Sequence, residues 1–113
     1  MHELSLAGSI LRLVEEAARR DAFVRVRTLR LSVPALAGVE VGALRFALQS
    51  LAPGTLLEAA EIVFDEPPGR ALCPECGRDV EIVERGQACP HCSGFRLQVT
   101  GGTELRVVDL LVE

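Results

Sequence analysis

The chain gathers all four of its cysteines into one window, as Cys73-Pro74-Glu75-Cys76 and Cys89-Pro90-His91-Cys92. Two residues between thiolates let both sulfurs of a pair point at one ion from a tight turn. A proline stiffens each turn, and Gly77 follows the first pair, where the backbone calls for a left-handed residue. Two such turns, twelve residues apart, supply the tetrahedral sulfur set that zinc prefers. The window holds few large apolar side chains, so the metal is expected to supply much of its folding energy. Iron is the competing occupant of a four-thiolate cage, although the spacing is short for a rubredoxin-like fold. Four thiolates leave no open coordination position, which reads as structural rather than catalytic.

Length and charge narrow the remaining choices. The 113 residues suffice for one compact domain with a small appendage, and the composition is that of a soluble globular protein. A net charge of -4, with arginines scattered rather than massed, argues against nucleic acid as a partner. No stretch approaches the roughly 20 apolar residues of a membrane span, and no basic leader precedes the first leucines. Unsecreted cysteines stay reduced and open to metal, so the expected compartment is the cytoplasm.

Along the chain, Leu4, Ala7, Leu11, Val14 and Ala18 recur with a helical period that predicts a helix ending near Arg20-Asp21. Phe23 to Val33 alternates as a strand, with a slip of parity at Arg27-Thr28 that a bulge would repair. Val41, Leu44, Leu48 and Leu51 make a second helical stripe, opened by Gly38-Val39-Glu40 and closed by Pro53-Gly54. Leu57 to Phe64 reads as a strand, and Asp65-Glu66-Pro67-Pro68-Gly69 breaks regular structure. Short strands are expected at Val80–Val83 and Phe95–Val99, beside the two cysteine turns. Glu104 to Val112 is apolar on both parities, as in a central or doubly covered strand, and should pair with the first half. The expected fold is therefore α+β: two helices on a small mixed sheet, with an inserted four-cysteine ribbon. The domains would be 1–66 with 103–113, and 67–102.

A second metal site is suggested at the other end. The amine of Met1, the amide nitrogen of His2 and the His2 ring nitrogen can close two adjacent chelate rings on one ion. Glu3 can add its amide or its carboxylate, and a bulky second residue is expected to leave Met1 in place. Such nitrogen-rich tetragonal sites suit Ni(II) or Cu(II) rather than zinc. A bland reading competes for each residue: His2 as an ordinary terminal histidine, Glu3 as a first-turn acid favoured by the helix dipole. His91, inside the second cysteine turn, reads as an exposed turn residue rather than a fifth donor. No Ser-His-acid or Cys-His set is available to support an enzyme.

Met1-His2-Glu3-Leu4-Ser5-Leu6, the helix after it and the paired CPxC turns together resemble the HypA/HybF nickel metallochaperones of hydrogenase maturation. The likeness continues through Gly38-Val39-Glu40, Leu44-Arg45-Phe46-Ala47 and Gly102-Thr103-Glu104-Leu105, and so spans nearly the whole chain. Ser93-Gly94 departs from the commoner glycine-first order after the second turn. The resemblance implies a nickel site centred on His2 with Met1 and Glu3 adjacent. It implies a structural zinc held by Cys73, Cys76, Cys89 and Cys92. It also implies handover of nickel to the [NiFe]-hydrogenase large subunit with a maturation GTPase, and in some organisms toward urease maturation proteins. The alternative is a zinc-ribbon adaptor that binds protein or nucleic acid and has no nickel site.

Overall fold

The computed structural model describes residues 2–113, so the nickel donor expected at Met1 lies outside the described residues. Elements follow in the order α1 (His2–Asp21), β1 (Val26–Ser32), α2 (Val41–Leu51), β2 (Glu61–Asp65), β3 (Gly69–Leu72), β4 (Asp79–Ile82), β5 (Gln98–Gly101) and β6 (Arg106–Val112). The chain divides into two compact units. The first comprises Met1–Leu31, Val39–Phe64 and Arg106–Glu113; the second comprises Ser32–Gly38 and Asp65–Leu105. The expected ribbon of 67–102 thus lies within a unit that also takes in the segment after β1.

In the first unit, α1 and α2 pack on each other, and a three-stranded sheet runs in the order β2-β1-β6. The Val24 amide donates to the Glu113 carbonyl and the Glu113 amide to the Arg25 carbonyl, which sets β6 antiparallel to β1. The Val26 amide donates to Leu56, at the end of β1 that matches the approach to β2, so β1 and β2 run parallel with α2 as their crossover. The core draws on Ala7, Ile10 and Val14 of α1, Leu44, Ala47 and Leu48 of α2, and Val26, Leu29 and Leu31 of β1. Val26 and Leu29 are both fully buried although they differ in parity, so the slip read in the sequence is present in the burial.

Three expectations are corrected. Leu4 is 57% exposed, because the inward stripe of α1 runs through Ala7, Ile10 and Val14 instead. Residues 57–60 form turns rather than a strand. The Thr55 hydroxyl accepts from the Leu57 amide and donates to the Ala52 carbonyl, and the Glu58 and Ala60 amides bond back to Thr55 and Leu57. These local bonds outcompete extended pairing. Finally, β6 is an edge strand with Leu111 half exposed, and the central place belongs to β1. Its two-sided apolar pattern does not mark a doubly covered strand.

The second unit is an antiparallel sheet in the order β4-β3-β5. Its central strand β3, Gly69-Arg70-Ala71-Leu72, was not expected, and the last strand begins at Gln98 rather than Phe95. Phe95 is 74% exposed. The buried cluster consists of Leu36, Ala71, Cys73, Val80, Ile82 and Cys89. Two of those six are cysteines, and Leu36 comes from the segment ahead of α2, so aliphatic packing alone is thin here. Gly102 allows a close pass: a Cβ there would lie 2.7 Å from the Gly69 Cα and 2.9 Å from the Pro68 carbonyl oxygen.

Candidate metal centre

The two cysteine turns are built alike. The Cys73 amide donates to the Arg78 carbonyl at 2.9 Å and the Gly77 amide returns to Cys73 at 2.7 Å. In the second turn, Cys89 donates to Gly94 at 2.7 Å and Ser93 returns to Cys89 at 2.9 Å. The repeated pattern presents the two sulfurs of each pair on one side. The returning residue has positive φ in both turns, 72° for Gly77 and 66° for Ser93. Glycine adopts that backbone freely, whereas serine is strained in it.

All four sulfurs converge to within 4.8 Å of one another. Cys73 and Cys92 stand 3.5 Å apart, and Cys76 and Cys89 stand 3.8 Å apart. Tetrahedral bonds of about 2.3 Å place sulfurs about 3.8 Å from one another, so the set fits one zinc-sized ion. Cys73 and Cys89 are buried, Cys76 is half-buried and Cys92 is exposed. Crowding splits the thiols. The amide N–H groups of Cys92 and His91 draw Cys89 down to about 7 against burial. Cys92 is pushed up to about 12: the Gly94 amide favours its thiolate, but the Cys73 sulfur and burial outweigh that donor. Four bare thiolates therefore resist ionising together, and a divalent cation at their centre removes the conflict. His91 is exposed and turned to Arg78, with Nδ1 3.0 Å from the guanidinium, so it does not join the sulfurs.

At the other end, His2 and Glu3 open α1. The His2 side chain is 60% exposed, and its Nδ1 lies 3.7 Å from the Glu3 carboxylate, which is only 14% exposed. Glu3 accepts from the Glu40 amide at 3.0 Å, and this bond is the first cause that lowers its carboxyl to about 2. Glu40 in turn caps α2, its two carboxylate oxygens accepting from Gly42 at 3.1 Å and Ala43 at 2.6 Å. A Cβ at Gly42 would stand 3.2 Å from both oxygens, so glycine leaves room for the cap. The starts of both helices are thereby tied together. Sequence reasoning placed Glu40 only at the opening of α2. Its signal was an acid directly ahead of a helical stripe, but a contact across 37 positions leaves no local trace.

These features define a small α+β protein with a helical unit, an exposed histidine at its first turn, and a four-cysteine metal module. A family model described as "Hydrogenase/urease nickel incorporation, metallochaperone, hypA" matches residues 1–112, and the chain belongs to that family. It is 59% identical to the hydrogenase maturation factor HypA of Polaromonas naphthalenivorans over 112 residues, covering 99% of this chain and 97% of the relative. It is 59% identical to the corresponding factor of Cupriavidus necator over 113 residues, covering 100% and 95%. The solution structure of the Ni metallochaperone HypA from Helicobacter pylori superposes with a TM-score of 0.68 at 17% identity, covering 97% and 96% of the two chains. At that identity the likeness speaks for the fold. The family is one of maturation factors rather than of catalytic enzymes.

Proposed function

We propose that this protein binds Ni(II) at its N-terminus and delivers it to the [NiFe]-hydrogenase large subunit, acting with a maturation GTPase in the cytoplasm. The observation that carries this reading is the exposed His2 in the first turn of α1. The first N–H groups of a helix have no intrahelical acceptor. The amide nitrogens of His2 and Glu3 therefore have no helical carbonyl to serve and can act beside the His2 ring and the Met1 amine, the Glu3 amide first leaving its own carboxylate. Nitrogen donors in a planar set suit Ni(II). Glu3 can offer its amide nitrogen or its carboxylate, and the carboxylate also accepts the Glu40 amide. A terminal, solvent-facing site with few donors also suits a cargo that must leave. The family description names both hydrogenase and urease, so urease maturation proteins are a second destination.

The same reading assigns Cys73, Cys76, Cys89 and Cys92 to one structural Zn(II). The match of their spacing to zinc–sulfur geometry supports this. Adding Ni(II) to zinc-loaded protein with an unblocked N-terminus tests both halves. Calorimetry should give one nickel per chain, and the d–d absorption should be that of a planar complex. Metal analysis should give one zinc that stays put. If His2→Ala takes up nickel as tightly as the parent, the N-terminal site is wrong.

A further inference from the structure

A groove opens directly beside the proposed nickel arm. Glu3 and Leu4 of α1 and Ala43, Phe46, Ala47 and Ser50 of α2 line a cavity of about 260 Å³. Leu4 is 57% exposed and Phe46 71% exposed, and the two line the same groove. Neither is needed by the fold of its own helix. The core face of α1 is Ala7, Ile10 and Val14, and that of α2 is Leu44, Ala47 and Leu48. Among the described residues of the lining only Glu3 is ionisable, and its carboxylate receives the Glu40 amide. Among the described residues the lining offers an acidic segment no cation, whereas an apolar segment would cover Leu4 and Phe46.

We propose that this groove seats an apolar segment of the protein that accepts the nickel. The inference rests on the N-terminal nickel site proposed above. Metal passes between proteins by ligand exchange, so a donor atom of the acceptor must reach the ion while His2 still holds it. The acceptor must then cover the first turn of α1. The surface next to that turn is the Leu4–Phe46 groove, with Glu3 as a wall of one and a neighbour of the other. An exposed aromatic such as Phe46 is a common anchor of a contact face. Docking there fixes the acceptor's donor atoms over the cargo.

The test uses the full-length nickel-loaded protein, its metal-free form and the nickel-free hydrogenase large-subunit precursor. Phe46→Ser and, separately, Ser50→Arg should weaken the complex with the precursor by about tenfold or more. Nickel affinity and the d–d spectrum should stay at parental values. Nickel transfer by the variants should be slow at low precursor and recover at saturating precursor, since only docking is impaired. Parental binding of the precursor by Phe46→Ser overturns the proposal. So does absence of any complex with the parent, or loss of nickel affinity in the variant. A parent that is dimeric while Phe46→Ser is monomeric also overturns it, because a second copy would then fill the groove. Failure of the nickel reading shows separately, as a parent that binds no nickel. In that event, the metal-free complex with the precursor still tests the groove.

Discussion

The two proposed metal regions answer opposite demands. In the cage, four side chains from two rigid turns converge on one point, two of them buried, and the backbone pattern of one turn repeats in the other. At the N-terminus, the proposed donors are one ring and a few backbone nitrogens on an exposed first turn, where the Glu40 amide donates to the Glu3 carboxylate. The difference teaches that donor number and burial separate a metal that folds a protein from one that passes through it. A closed sulfur set has no room for an incoming ligand, whereas a terminal nitrogen set can be approached from solvent.

The comparison breaks most sharply on removing the cage metal. Replacing Cys73 or Cys89 by Ser, or stripping zinc with a chelator, should abolish amide-exchange protection in β3 and β4 while α2 keeps its own. Structural zinc contributes on the order of 10 kcal/mol to small modules of this kind, far more than a cluster of Leu36, Ala71, Val80 and Ile82 can replace. Next in size is His2→Ala, which should lower nickel affinity at least about a hundredfold, as calorimetry would read it, with zinc content unchanged.

A smaller effect is expected at Glu3. Its carboxyl is lowered from an ordinary 4.5 to about 2, so the folded state favours the charged form. The stabilisation this contributes is complete above the ordinary value and is lost as pH falls through the window from about 4.5 to about 2. The Glu40 amide resonance should titrate with its midpoint at the lower end of that window. Glu3→Ala should remove the titration, and Glu3→Gln should keep the hydrogen bond without the pH dependence. If the d–d spectrum of the nickel complex is the same for Glu3→Gln as for the parent, the carboxylate is no ligand.

The smallest change sharpens the likeness of the two cysteine turns. Ser93 holds φ at 66° where its counterpart Gly77 holds 72°. Ser93→Gly should relieve strain of about 1 kcal/mol, partly offset by the freedom glycine gains in the unfolded chain. Zinc release in a chelator competition should slow by a few-fold at most. Faster release would mean that the Ser93 side chain itself supports the turn.

Much of this was legible in the chain alone. Helix α2 was, because Val41, Leu44, Leu48 and Leu51 mark its inner face and Glu40 and Pro53 its ends. So was the convergence of the cysteines, because CPxC fixes each pair by local geometry. β3 was not legible: Gly69-Arg70-Ala71-Leu72 carries no clear alternation and no β-branched side chain, and it is a strand only because β4 and β5 pair with both its edges. β6 misled in the other direction. Its dense apolar run reads as central, yet it lies at an edge, because in its sheet the place with partners on both sides belongs to β1.

The sequence by itself determined the period of each helix, the spacing of the sulfurs and the Met1-His2-Glu3 start, since each depends on residues a few positions apart. Only the tertiary structure decided that Leu36 joins the cysteines' core, that Glu3 meets Glu40, and that Leu4 and Phe46 share one open groove. The physical reason is range. Backbone geometry couples near neighbours, whereas contacts between distant residues depend on how whole helices and strands pack, and no local pattern encodes that arrangement.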